Sequence, residues 1–340
     1  MKTTKYILLT LMVAFMAACT EPIDFQSDQD DPYAVLVSRP MNDSTVCVHL
    51  SYSRFFLDNR PTKPVSDANV VLSVNGIATV GTYSEAAYNM RGGYVFPVSP
   101  QPGDSLHVSA TIPGYDHEVS ASTHIPALPD IEVLDYVVDT GRGVNNYDRE
   151  GSYYYNDNFY FKVRFKVKSP QDDAYYAIRV LYGDIRRVTT DQYVWDTSRY
   201  EDAYFSVNDP IVNTQDIVDV IDGYDGSFYG DEMLFSNETF RNGEHEFTLI
   251  FSLVPTDLIE NYSQVPVRLE VRSLSPELYR YIKTTETEVS DFDELFGEPI
   301  QVFCNIDGGI GIFGGSSRKQ FVMPMPRYAT FSHNDGYYFK

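Results

Sequence analysis

Five groups of residues have the types and spacing that chemistry would need. The first runs from Asn305 to Gly315, with glycine at 308, 309, 311, 314 and 315 around Ile310, Ile312 and Phe313. Such a run invites comparison with a phosphate loop, whose backbone N–H groups cradle an anion. The Gly-Lys-Ser/Thr ending is missing, because Ser316-Ser317-Arg318-Lys319 follows, and no strand–helix alternation surrounds the run. Gly308, Gly309, Gly311 and Phe313 therefore read as a structural motif, placed where backbones pack closely and only some side chains need room. The second group is Asp219, Asp222, Asp225, Asp231 and Glu232, with three glycines among them. Calcium favours oxygen-rich turns, but the spacing does not fit a twelve-residue EF-hand loop, and a solvated acidic loop over 219–232 is the preferred reading. The third is aromatic: Tyr147, Tyr153, Tyr154, Tyr155, Tyr160, Tyr193 and Trp195. Exposed Tyr and Trp suit stacking on glycans and protein recognition, whereas buried they would be ordinary members of a Tyr-rich sheet. Trp195, Tyr193 and Tyr154 are the candidate ligand contacts, Trp195 being the single Trp and lying among polar residues.

Histidines and cysteines form the other two groups. His49, His107, His117, His124, His245 and His333 show no HxxxH or HxH spacing, and no CxxC exists. Local metal motifs are thus absent, and no metal or cofactor is implied. Cys47 and Cys304 either close a very long disulfide loop or stay as isolated thiols, and the second is preferred. No GxSxG, SxxK or HExxH appears, so the sequence argues against an enzyme. Carboxylate pairs among 48 acidic residues carry no information without coordinates.

Cys19 has a different chemistry. Lys2 and Lys5 precede an apolar stretch from Tyr6 to Ala18, too short for a membrane-spanning helix of about 20 residues but suited to a secretory signal. Met16-Ala17-Ala18-Cys19 looks like a bacterial lipobox, in which the cysteine is acylated and becomes the mature N-terminus. Residues 1–18 are then a lipoprotein signal peptide, and 19–32 a flexible acidic tether ending at Pro32. Acyl chains anchor firmly, each buried CH₂ contributing about 0.8 kcal/mol.

The 340-residue chain has 26 Lys+Arg against 48 Asp+Glu, a net charge of −22. Removing residues 1–18 takes two lysines, and 24 positive against 48 negative groups leave −24. That balance repels phosphate backbones, which excludes nucleic acid as a partner. Membrane attachment must come through the acyl chains on Cys19. Aromatics reach 14%, with 27 Tyr and 21 Phe, which favours strands.

The elements that must hold these groups are mainly β. Residues 33–125 read as an immunoglobulin- or transthyretin-like sandwich. Val46, Val48, Leu50 and Tyr52 alternate with Cys47, His49 and Ser51. Ala68–Val74 turns at Asn75-Gly76 into a strand over Ile77–Tyr83. Gly93–Phe96, Leu106–Ile112 and His117–Thr123 follow. Residues 126–129 form a Pro linker. A second, larger sandwich-like domain spans 130–326, and 327–340 is a tail. Its strands are expected at Val133–Val138, Phe159–Lys168, Ala174–Leu181, Phe247–Val254 and Val265–Leu274, with a Tyr- and Asn-rich loop over 145–158. Ser275 as N-cap and Pro276 at the first position start a helix in which Leu278, Tyr281 and Ile282 share one face, ending near Thr285. Ser290 starts a second short turn.

Three stretches carry a resemblance: Leu234-Phe235-Ser236-Asn237-Glu238-Thr239-Phe240-Arg241-Asn242-Gly243, then Arg272 to Tyr281, then Glu298-Pro299 with Asn305 to Gly314. In this order, behind a lipoprotein signal, they resemble the DUF4249 family of Bacteroidetes lipoproteins over nearly the whole chain. The resemblance implies an outer-membrane context beside a TonB-dependent receptor that imports nutrients. It carries over no catalytic residue. The acidic residues after Cys19 resemble a surface-export signal, which points to the cell surface. The expectation is a lipid-anchored binding or accessory protein, with a small-molecule, peptide or glycan ligand. A structural adhesin or assembly subunit of the cell surface is the alternative, and an envelope hydrolase the remote one.

Overall fold

The computed structural model describes residues 32–54, 62–147, 153–169, 173–189, 192–209, 211, 227–253, 267–285 and 301–323. The side chains of 140–158, 184–199, 227–229 and 239 fall outside the description. Cys19 and the tail lie outside it, as do most of the acidic loop and the turn at Ser290.

The protein is mainly β and is built as two sandwiches. In the first, β1 (Ala34–Ser38) pairs with β2 (Val46–Tyr52), which pairs with β6 (Gly93–Phe96) and then β5 (Thr82–Ser84). The facing sheet runs β4 (Ile77–Val80), β3 (Asn69–Val74), β7 (Ser105–Thr111), β8 (Val119–His124). Period-2 alternation puts Val46, Val48 and Leu50 into the core with Leu36, Leu72, Phe96 and Val108. Asn75 and Gly76 both take positive φ, +51° and +84°, as a tight hairpin turn requires.

The expected single strand at Ile77–Tyr83 is in fact two strands in different sheets. The chain breaks at Gly81, where a side-chain carbon would fall 2.7 Å from the Phe96 ring. Only glycine allows the chain to pass that close while it crosses from one layer to the other.

In the second sandwich one sheet runs β14 (Ser227–Gly230), β13 (Phe205–Asn208), β16 (Glu244–Leu253), β10 (Tyr153–Lys168), β9 (Asp130–Tyr147). The other runs β12 (Gln192–Ala203), β11 (Tyr175–Thr189), β17 (Val267–Leu274), β19 (Ser316–Met323), with β15 (Glu232–Ser236) also on β11. Phe159, Phe161, Val163, Phe165 and Val167 are buried against the opposite layer. The alternate residues of β10 carry the wet face, where Arg164–Glu246 (3.2 Å) and Lys166–Glu244 (2.9 Å) pair diagonally across strands.

The stretch expected as a loop at 145–158 is largely strand: β9 and β10 stay paired from Asp130↔Lys168 out to Tyr147↔Tyr153. Tyr and Asn enrichment resembles loop composition, but Tyr is a good strand former, and cross-strand pairing decided the outcome.

Helix α1 (Pro276–Thr285) starts as the sequence predicts, and the Leu278 N–H donates to Ser275 Oγ at 3.3 Å. It buries Leu278, Tyr279 and Ile282. Tyr281, expected on that face, is half-buried against the same cluster, and the Arg39 guanidinium lies over its ring, 5.4 Å from the centroid.

Cys47 and Cys304 are free thiols. Among the described residues no helix is long and apolar enough to cross a membrane.

Candidate functional site

The glycine motif lies where the two sandwiches meet. β18 (Ile310–Phe313) joins the first sandwich, parallel to β1, with Val35 opposite Ile310 and Ser38 opposite Phe313. Six residues later the same run, as β19, is part of the second sandwich. The chain therefore stitches both modules with one extended segment. Its glycines sit against main chain: a side-chain carbon at Gly308 would overlap the Glu118 carbonyl oxygen, and at Gly315 that of His124. At Gly309 it would lie 2.6 Å from Ala34 O, and at Gly314 2.7 Å from Leu278 Cβ. Phe313 is fully buried in the first core. No room remains over these glycines for a phosphate.

Around this seam the polar groups satisfy one another. Thr123 Oγ1 accepts from Gly315 N at 3.0 Å and donates to Ser275 Oγ at 3.3 Å. Asn305 bridges Phe313 with both ends of its amide, at 2.9 and 3.0 Å. Asn42 Oδ1 accepts from Arg318 N at 2.8 Å. The Asn237 motif does similar work inside the second sandwich, where its Oδ1 accepts from Ala174 N at 2.9 Å. These motifs are thus assembly points of the fold.

Two other places face outward. One is the end of the second sandwich remote from the seam. Leu274 and Ser316 mark the seam end of one sheet, and Val267 and Met323 the far end. Asp130 and Lys168, beside the linker, mark the seam end of the other, and Phe159 and Leu253 the far end. β10 pairs with β16 only from Phe159 onward, yet continues on β9 back to Tyr153. β11 pairs with β17 only to Tyr182, yet continues on β12 to Thr189. Two two-stranded ribbons therefore leave the same far end, each reaching about 20 Å at the usual rise per residue. Tyr154 lies opposite Asn146 on one ribbon. Tyr193 and Trp195 lie opposite Arg187 and Ile185 on the other. All three candidate contacts are on these ribbons by backbone position, and their side chains are outside the described residues.

The second place is a cavity of 910 Å³ on the outer face of the first sheet. Its floor is two directly paired couples, Val35 with Ser51 and Val37 with His49. Arg54, Pro64, Glu85, Tyr88 and Arg91 also line it, while Tyr52 and Tyr83, which border it, pack against the first core. The His49 and Tyr88 rings stack at 4.9 Å and 13°. His49 Nδ1 lies 2.8 Å from the Gly92 carbonyl. A carbonyl only accepts, so Nδ1 carries the proton and Nε2 is the acceptor of the neutral ring. Burial pushes the Tyr88 phenol above its ordinary pKa, with Arg39 acting against it.

The segment carrying Tyr88 is strained. Tyr88, Asn89 and Met90 have φ of +52°, +55° and +65°, and only Asn tolerates that region easily. Each of the other two costs roughly 1–2 kcal/mol. The ring stack and the Gly92 hydrogen bond hold the segment in place.

Sequence alternation placed Cys47, His49 and Ser51 on the face away from the core, which is correct, but gave no reason to join them to Tyr88 and Arg91. The available signal was the non-alternating insertion Glu85–Gly92 between two strands, closed by Gly92-Gly93.

Among the described residues no three His, Cys, Asp or Glu side chains gather as a metal site. Glu232, at the end of the acidic run, is paired with Arg272.

Fold and geometry define a two-sandwich scaffold, stitched by a glycine-rich crossover, with one cavity described in its first module and paired ribbons at its far end. The chain belongs to the DUF4249 family, described as a domain of unknown function, whose family model matches residues 20–321. A comparison with curated proteins returned no match.

Proposed function

We propose that the protein is a lipid-anchored accessory protein of the outer membrane, displayed on the cell surface, that works with a TonB-dependent receptor in nutrient uptake. The anchor is the acylated Cys19, and the ribbon end of the second sandwich is the face that meets the receptor.

The observation that carries this reading is the polarity of the molecule. β1 begins at Ala34 and runs toward the seam, where Pro40 O accepts from Ser316 N at 2.9 Å. The tether thus enters at the end of the first sandwich away from the seam, and the aromatic ribbons leave at the opposite end of the second. A tether of 14 residues from Cys19 to Pro32 spans at most about 50 Å, so the ribbons are carried well clear of the anchor. Tyr and Trp on projecting elements are the residue types that dominate contact energy in protein interfaces.

The test has two parts. Protease added to intact cells should degrade the protein if it faces outward. Purification of the full-length protein in mild detergent should bring down an outer-membrane barrel at stoichiometric level. Replacing Tyr154, Tyr193 and Trp195 together by Ala should release that barrel while the protein stays folded. Absence of any barrel from the wild-type preparation sinks the proposal.

A further inference from the structure

We infer that His107 and His124, on the outer face of the first sandwich, form a two-histidine site for a divalent transition-metal cation of the Ni²⁺, Cu²⁺ or Zn²⁺ class. The inference concerns a module remote from the ribbons and does not depend on how the receptor is met.

The strands bring the two rings together. On β7 the burial of Leu106 and Val108 leaves His107 on the outer face, and on β8 the burial of Ala121 and Thr123 leaves His124 on the same face. His107 faces Ser122, and Ser105 faces His124, so the histidines are diagonal neighbours. Ile125 directs its main chain across the pair of strands, its N–H donating to Asp104 O at 2.9 Å and its carbonyl accepting from Gly103 N at 2.8 Å. By alternation Ser122 and His124 take the non-hydrogen-bonded positions, where facing side chains lie closer. Diagonal neighbours are roughly 7–8 Å apart, somewhat less at Cβ, within reach of long and aromatic side chains. Two imidazoles span that separation through one ion, since each metal–nitrogen bond adds about 2.0–2.1 Å.

Their nitrogens are placed to coordinate. His107 Nδ1 lies 3.0 Å from Ser122 Oγ, and the hydroxyl accepts a hydrogen bond from a protonated Nδ1. Nε2 then carries the lone pair and points away from the protein partner. Metal-ligating histidines are oriented in this way, by a hydrogen bond from the ring nitrogen that does not bind the ion. The His124 side chain has no hydrogen bond or ion pair among the described residues, so its ring turns freely toward the same ion.

The surroundings select the ion. β3, β4, β7 and β8 carry no Lys, Arg, Asp or Glu, and the two histidines are their only titratable side chains. No fixed positive charge on this sheet opposes a cation, and the chain's net charge of −22 raises the local cation concentration. The donors are imidazoles alone, which suit Zn²⁺, Cu²⁺ and Ni²⁺, whereas Mg²⁺ and Ca²⁺ seek oxygen. No third His, Cys, Asp or Glu among the described residues joins the pair. The remaining coordination positions therefore face solvent and take water or the donor atoms of a bound ligand.

The experiment titrates untagged full-length protein in detergent, first stripped with EDTA, with Ni²⁺ in a calorimeter. Ni²⁺ is the probe because it does not oxidise the free thiols. One ion should bind per chain, with at least about tenfold weaker binding in His107→Asn and in His124→Asn. Both residues are exposed, so these variants should melt as the wild type does. His117→Asn, which removes an exposed histidine from the turn before β8, should bind unchanged. Paramagnetic Ni²⁺ should broaden the His107 and His124 ring resonances before those of any other histidine. Absence of one-to-one binding overturns the proposal, as does full affinity in either His107→Asn or His124→Asn. Equal competition by Mg²⁺ or Ca²⁺ also overturns it, since that would assign the binding to the acidic surface.

Discussion

Gly311 lies against the Leu36 carbonyl so closely that a side-chain carbon there would overlap the oxygen, and its φ is +124°. Both facts act at one place, the parallel pairing of β18 with β1 that ties the end of the chain to its first strand. Gly311→Ala should therefore cost roughly 3 kcal/mol, through backbone strain and displacement of β1. Gly114 supplies the contrast, with φ +77° and nothing near its missing side chain, so Gly114→Ala should cost only about 1 kcal/mol. Urea unfolding of both variants measures the difference. Equal midpoints would show that the crossover does not hold the modules.

Glu270 is a second prediction. Its side chain is 3% exposed, and it meets Gln320 Nε2 at 2.6 Å, Arg318 at 3.4 Å, Arg272 at 3.8 Å and Arg179 at 4.0 Å. Arg179 also meets Asp202 and Arg272 also meets Glu232, so removing the Glu270 charge strips the carboxylate from Arg318 and weakens the compensation of the other two guanidinium groups on β11, β17 and β19. Glu270→Gln keeps the shape and loses the charge, and should destabilise by roughly 2–4 kcal/mol. The destabilisation should shrink at high salt, which screens the remaining repulsion. A salt-independent loss would assign the effect to packing.

Ser275 and Thr123 give a coupled pair. Ser275→Ala removes the helix cap, a change of about 1 kcal/mol. Thr123→Val removes the acceptor for Gly315 N. The two hydroxyls share a hydrogen bond across the seam, so a double-mutant cycle should return a coupling of about 0.5 kcal/mol or more. Strict additivity would mean that the seam hydroxyls act separately.

The alkaline limit follows from buried phenols. Burial raises the pKa of Tyr176 and Tyr279 above 10.0, the ordinary value. A raised folded pKa gives stability that is complete below the unfolded pKa and is lost as pH rises through the folded one. These tyrosines should therefore contribute no slope from pH 7 to 9 and a falling melting temperature above about pH 10. Calorimetry with tyrosinate absorbance checks it. Tyr279→Phe should make the alkaline fall shallower.

The alternation of Val46, Val48 and Leu50 and of Phe159 through Val167 was legible because period 2 is a local property, set by the pleat. The cap at Ser275 and the turn at Asn75-Gly76 were legible for the same reason, since each depends on a few neighbouring residues. The glycine run was also readable as close packing, though not its partners, because Leu36 and Glu118 lie far away in sequence.

What tertiary structure alone decided is the assignment of strands to sheets. Gly81 splits one hydrophobic run between two layers because of Phe96, a distant residue. β18 and β19 serve different modules because their partners, β1 and β17, do. The cavity combines β1, β2 and the 85–92 insertion, and no local rule brings Val35, His49 and Arg91 together. Sequence by itself determined the β character, the turns and the faces. Long-range pairing, which depends on contacts between residues far apart in the chain, determined which of those faces became a seam, a core or an open site.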